Sequence, residues 1–314
     1  MTFKNYITSL GAILVLSLVF SQSSAQSDPA QFCPNGQLIV IDGVQECLDI
    51  DNLNKIIADM ERIDLDNDPL LAGNEGDRDA LRELPDVSPE ALSAYNDKII
   101  ELQARHSALK NTRRNQNEQL NYDLLGFVLS QRTNLTLYDM SRIPFTNDSG
   151  FFNELSYITR QTRFTTASDY EAYAARLTKL PRFFSQHRAN MQRGIDTGFT
   201  ASVEIVPGII EVVRTLSETS VNDHPFFAPF KSFPETISSD DQTRLKNLGT
   251  AAMESAVIPA YETLLKFFED NYLPAARQQP GLSAVAGGRD IYPCLLYTSP
   301  SPRDQRGSRM PSSA

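Results

Sequence analysis

An all-α, multi-helix fold is predicted by three features of the 314-residue sequence. Apolar residues recur at steps of three and four over long stretches. Helix-start signals precede those stretches, and extended runs are scarce outside one short loop near the N-terminus. Apolar residues make up 41% of the chain and charged residues 22%, a balance that lets a globular protein bury a core. No segment repeats at a fixed period, which argues against a solenoid.

The first 25 residues read as a signal peptide. Lys4 precedes an apolar run from about Leu10 to Phe20, and the small residues Ser23, Ser24 and Ala25 suit signal-peptidase cleavage. That run is short for a bilayer span, and no later stretch approaches the ~18 apolar residues one needs. The expected protein is therefore exported, with no stable membrane span in the mature chain. Residues 26–87 form a Cys-bearing extension and an acidic linker. Cys33 and Cys47 flank a loop with a Pro-Asn-Gly turn and a β-rich QLIVI run. In an oxidising compartment these two are expected to form a disulfide. Gly73, Gly76 and Pro85 interrupt the acidic stretch DLDNDPLLAGNEGDRDALRELPD, which places a boundary near Pro85.

The helical domain is expected over 88–292. Ser88 as N-cap and Pro89 at the first helical position open its first helix, with Leu92, Tyr95, Ile99, Leu102, His106 and Leu109 in one stripe. A second helix opens with a capping box from Ser168 to Glu171 and carries Tyr170, Tyr173, Leu177, Leu180, Phe184, His187 and Met191 along one face. Pro181 should kink it and Gly194 end it. SVEIVPGIIEVVRTLSE predicts a buried third helix, and residues 239–273 supply one long helix or two, broken near Pro259.

Candidate chemistry is sparse. Phosphate-binding, dinucleotide-binding and nucleophile-elbow motifs are absent, as is the H-E-x-x-H pair that holds zinc on one helical face. The formal charge is −10 with no basic patch, which excludes nucleic acid as an expected partner. His106, His187 and His224 could in principle form a three-histidine metal site. Two of them occupy slots in apolar stripes, where a hydrogen-bonded core histidine is the commoner case. Asp64, Asp66, Asp68 and Glu75 fall at positions one, three, five and twelve of a calcium loop, but Pro69 stands where that loop needs glycine. The competing reading is a solvated acidic linker. HPFFAPFKSFP (224–234) either lines a cleft with aromatic surface or plugs its rings into the core. Asn134 and Asn147 begin glycosylation sequons. No catalytic, cofactor-binding or metal residue is assigned to this chain.

Four blocks nevertheless follow one another in a familiar order: YDLLGFVL (122–129), SDYEAYAARLTKLPRFFSQHRANMQRGIDTGFT (168–200), HPFFAPFKSFP (224–234) and VIPAYETLLKFFEDNYLPAARQQPGLSAVAGGRDIY (257–292). They resemble the N-terminal half of the exported bacterial proteins grouped as domain of unknown function 885. The resemblance implies a mostly helical protein of about twice this length. It also implies a second half carrying a His-Glu-Ala-x-Pro-Gly-His-His-like motif, in the manner of gluzincin-like, zinc-dependent peptidases. Zinc and a peptide or small-molecule substrate are expected for such a full-length protein. The motif has no counterpart here, so the resemblance implies an inactive fragment. The alternative is an exported helical binding module with an apolar ligand groove and no enzymatic activity. Residues 293–314, with CLLYTSPSPRDQRG at their head, resemble a translated sequencing adapter. They are expected to form a disordered, non-native tail in which Cys294 takes no part in a native disulfide.

Overall fold

The computed structural model describes residues 37–41, 44–48, 50–153, 156, 162–285 and 288. The chain divides into two units, Met1–Ile50 and Asp51–Ala314. The first contains an antiparallel hairpin, β1 (Gln37–Ile41) and β2 (Val44–Leu48), with Leu38 opposite Cys47. The β-rich QLIVI run thus becomes β1. Cys33 and Cys294 lie outside the described residues, as do the expected signal peptide and tail, and of Cys47 only the backbone is described.

The regular elements described in the second unit are helices, joined by loops that carry two isolated β-bridges, Phe145–Gly150 and Ser202–Arg277. Helices α1 (Ile50–Asn67), α3 (Pro89–Ala108) and α4 (Gln116–Tyr138) form an arm. The short α2 (Pro69–Asn74) follows α1 directly. Leu53, Ile56, Met60 and Ile63 lie at helical spacing along α1 and are buried, as are Ile99 and Leu102 of α3 and Leu125, Val128 and Leu129 of α4. Helices α3 and α4 run antiparallel. Thr136 bonds Asn96 (2.9 Å), Thr133 bonds Gln103 (2.5 Å), and His106 meets the carbonyl of Tyr122 (2.9 Å). Ser88 caps α3 as expected, its hydroxyl accepting from the Ala91 N–H at 3.3 Å.

The body comprises α5 (Ala167–Leu177), α6 (Leu180–Asp196), α7 (Val206–Glu218), α8 (Ser239–Ala252) and α9 (Ile258–Phe267). Helix α7 packs along α9, α8 against α5, and α6 against α9. Their shared core is aromatic, with Phe152, Phe184, Phe226, Phe227, Phe230, Tyr261, Phe268 and Tyr272 all buried. Each buried tyrosine hydroxyl has a backbone partner: Tyr170 donates to the Ser232 carbonyl (3.5 Å), Tyr173 to that of Phe226 (2.9 Å) and Tyr261 to that of Phe152, and Tyr272 accepts from the Ala201 N–H (2.9 Å). Such pairing is what makes tyrosine tolerable in a core.

Four sequence expectations change in detail. The helix expected from Ser168 through Met191 is two helices, because the chain turns at Thr178 and Lys179 and Pro181 starts α6 instead of kinking a longer one. Asp169, not Glu171, is the carboxylate that reaches back over the start of α5, accepting from the Thr166 N–H at 2.8 Å. Gly194 lies inside α6, and the residue that leaves the helix at positive φ (67°) is Gly198. The break at Pro259 is smoothed by a π-helical turn, Met253–Val257, whose wider spacing absorbs the missing proline N–H.

The boundary expected near Pro85 is also displaced, since the chain divides at Ile50. Residues 77–87 are a strap laid along α5 and α6. Arg78 pairs with Asp169 at 2.8 Å, and Lys179 pairs with Glu83. Arg182 donates to the Leu84 carbonyl at 3.0 Å. Gln186 donates to Asp86 (2.9 Å) and accepts from the Val87 N–H (3.2 Å), and Asn190 donates to the Val87 carbonyl at 2.7 Å. Leu84 sits in the aromatic core at 2% exposure, so the stretch that resembles a linker is part of the body's packing.

Candidate functional site

The three histidines do not converge. His106, near the end of α3, is buried with its ring stacked on Tyr122 at 4.0 Å, and the Arg114 guanidinium lies 3.7 Å above the other side of that tyrosine. His187 of α6 stacks on Phe151 at 4.0 Å and meets the Phe183 ring edge-on at 4.6 Å. Neither of its ring nitrogens has a hydrogen-bond partner among the described residues, and burial pushes its pKa down to about 3. His224 is fully buried at the head of the 3₁₀ turn Pro225–Lys231, where Nδ1 accepts from the Phe226 N–H at 3.2 Å. Burial pushes this ring down to about 4. Each histidine is therefore a packing element, and His187 is held neutral by its surroundings.

The calcium-loop reading fails on local geometry. Residues 64–67 are the last turn of α1 and 69–74 are α2, so the stretch is helical where an EF-hand would wrap an ion. Pro69 serves as the first residue of α2, a place its fixed φ favours. Asp68 caps that helix, accepting from the Leu70 and Leu71 N–H groups at 2.9 and 3.3 Å. Asp64 receives the Arg132 guanidinium in a two-bond fork (2.5 and 2.9 Å) and the Tyr95 hydroxyl at 3.2 Å. Burial, with Asp64 alongside, pushes the Tyr95 phenol up to about 12. Among the described residues no group of three or more His, Cys, Asp or Glu side chains could hold a metal ion. Zinc therefore does not fit the described residues of this chain.

The Phe-rich loop resolves in favour of the core. Phe226, Phe227 and Phe230 are at most 1% exposed and pack among Tyr173 and Tyr261, which removes the aromatic wall an apolar groove would need.

Two clefts among the described residues carry charged groups. A cleft of about 400 Å³ lies where α3 faces the end of α1 and the strap, with Asp66, Glu83 and Asp86 set against Lys98 and Arg182, and Tyr95 at its wall. A second, of about 470 Å³, includes Glu61, Arg62, Asp66 and Asp77. Carboxylates and cations of both kinds can hold and orient a polar or zwitterionic group. No nucleophile stands beside a base in either lining, and a phenol with its pKa near 12 is no base at neutral pH. Sequence reading missed the first cleft, because its lining comes from α1, the strap, α3 and α6. The alternation of charge in 83–98 gives no hint that these residues share a wall.

Residues 69–299 match the family described as bacterial protein of unknown function (DUF885), and the chain belongs to that family. The match starts inside the acidic stretch and extends seven residues beyond Tyr292, so it is longer than the span of the four blocks at both ends. The fold resembles the crystal structure of a candidate lipoprotein from Colwellia psychrerythraea, with a TM-score of 0.63 at 15% identity. That likeness covers 69% of this chain and 39% of the other, so the chain spans well under half the length of this neighbour. No functionally curated protein matches the sequence. No described helix is long and apolar enough to cross a membrane.

Proposed function

We propose that the helical unit is the non-catalytic half of a larger exported hydrolase of the zinc-peptidase kind, and that it walls one side of a cleft for a peptide. The observation that carries this reading is that the likeness to a solved chain covers only 39% of that longer chain, while all three histidines here are used in packing. The resemblance of the four ordered blocks to proteins whose second half bears a His-Glu motif supports it further. Zinc bound by such a motif would supply a Lewis acid and an activated water. These residues take no step of that reaction. Their contribution is rigid positioning of the cleft wall and exclusion of water by the packed body.

The test compares the 314-residue chain with a longer family member that contains the His-Glu motif, each incubated with Zn²⁺ and a mixed peptide library. The longer protein is expected to retain zinc and cleave peptides, with both lost on chelation, and the 314-residue chain to do neither. Zinc-dependent cleavage by the 314-residue chain, or no cleavage by the zinc-loaded longer protein, overturns the reading. Export carries its own check. The intact mass after removal of the leader should lie about 2 Da below that of the reduced chain if Cys33 and Cys47 are joined.

A further inference from the structure

Charged side chains are ordinary on a surface, so what matters in the cleft between the end of α1, the strap and α3 is which of them already have partners. Glu83 pairs with Lys179. Asp86 accepts from the Ser88 hydroxyl (2.6 Å) and from Gln186 (2.9 Å), and Arg182 donates to the Leu84 carbonyl (3.0 Å) and lies 3.4 Å from Asp86. Two charged groups of the lining remain, Asp66 of α1 and Lys98 of α3. They are opposite in sign and exposed, and neither has a hydrogen bond or ion pair among the described residues.

Spacing keeps these two from pairing with each other. Helices α1 and α3 run antiparallel, since Asp59 meets Arg105 while Asp64 meets Tyr95. Asp66 lies two residues beyond Asp64 in one direction, and Lys98 three residues beyond Tyr95 in the other. At ~1.5 Å per residue, their backbones are offset by about 7 Å along the helix pair. Helix α3 turns Ala91, Ala94, Tyr95 and Lys98 toward the cleft at steps of three and four, and the two alanines leave room that longer side chains would fill. The Tyr95 hydroxyl is fixed by Asp64 (3.2 Å) and Arg132 (3.1 Å), which makes its ring a rigid wall.

That gap selects a ligand. A free amino acid holds its ammonium and carboxylate too close together to reach both groups, whereas a dipeptide separates them by two extended residues, ~7 Å. We propose that this cleft binds a dipeptide as a zwitterion, Lys98 taking the carboxylate and Asp66 the ammonium. The choice of a peptide over other zwitterions rests on the function proposed above. Both ion pairs are exposed, so each is weak and the affinity is millimolar.

The test is a chemical-shift titration of the ¹⁵N-labelled full chain with L-alanyl-L-alanine, without zinc. Saturable shifts are expected around Tyr95–Lys98. The N-acetylated dipeptide, the dipeptide amide and free alanine should each bind about threefold or more weaker. Lys98→Gln should erase the preference over the amide and keep that over the N-acetyl form, and Asp66→Asn should do the converse. Both positions are exposed, so neither variant disturbs packing. No saturable binding below ~50 mM, alanine binding as well as the dipeptide, or variants that fail to separate the two preferences would each overturn the proposal. The function proposed above fails separately, through zinc-dependent cleavage by a longer family member, because the titration uses no zinc and reads no cleavage.

Discussion

The arm and the body of the helical unit solve the same packing problem with different materials. The arm is aliphatic inside and is cross-linked by polar bonds between its helices: Asp59 with Arg105 at 2.8 Å, Asp64 with Arg132 and Tyr95, and Thr133 with Gln103. The body is aromatic inside, and its polar bonds run mostly from tyrosine hydroxyls to backbone or from the strap to α5 and α6. In the arm, removing one polar group leaves its partner part-buried and unpaired. In the body, removing one ring leaves a hole lined by other rings. The joint between them is Asp139, at positive φ (46°), a conformation a short polar side chain tolerates better than most. Its carboxylate pairs with Arg193 of α6 and accepts from Ser141 at 2.5 Å.

This contrast breaks most visibly at a body ring. Phe230→Ala opens the centre of the core, where Phe227, Tyr170 and Tyr173 surround the ring, and should cost ~3–5 kcal/mol in a urea titration. Hydrogen exchange should show the loss spread over α5, α8 and α9 and little changed in the arm.

Acid should loosen the body before the arm. The folded pKa of His187 is about 3 against 6.5 for the free side chain. The unfolded chain therefore binds the extra proton first as pH falls. Stability is complete above about pH 6.5 and declines below it, by roughly 2 kcal/mol at pH 5 from this group. His224 acts in the same direction. His187→Phe should flatten the slope between pH 6.5 and 4, and an unchanged slope would remove His187 as its source.

A polar change in the arm should have a smaller effect. Arg132→Ala strands Asp64 and Tyr95 and should cost about 1–2 kcal/mol, read as lost amide protection in α1. Arg132→Ala combined with Asp64→Asn should recover part of that, because the unpaired charge is gone. The strap pair is smaller still. Lys179→Ala removes a partly exposed ion pair with Glu83 and should cost no more than ~0.5 kcal/mol in the same titration. A loss comparable with that of Phe230→Ala would show that the strap, not the core, holds the body together.

Local signals in the sequence were read well where the physics is local. Ser88 and Pro89 start α3 because a hydroxyl acceptor and a preset φ act within one turn. The QLIVI run becomes β1 because β-branched side chains favour extended backbone. The Phe-rich loop offered two readings, and only packing could choose, because a ring is equally apolar in a groove or a core. The capping carboxylate was misplaced by two positions. Both Asp169 and Glu171 can reach back, and Asp169 prevails because Thr165, Thr166 and Arg78 all converge on it. Burial raises this carboxyl, yet those backbone N–H groups and hydroxyls outweigh it and hold its pKa below the usual carboxylate range.

By itself the sequence determined the helical class, the start of α3, the apolar faces of α3 and α6, and membership of a family visible in four ordered blocks. These depend on periods of three and four residues and on groups one turn apart. The tertiary structure decided that residues 77–87 are a strap and not a linker, that three histidines are packing elements lying apart, and that residues 64–74 are helical and not an ion loop. Each of those outcomes depends on partners tens of residues to about a hundred residues away, such as Asn190 for Val87 and Arg132 for Asp64. A charged or apolar side chain carries no mark of such a partner until the chain has folded against it.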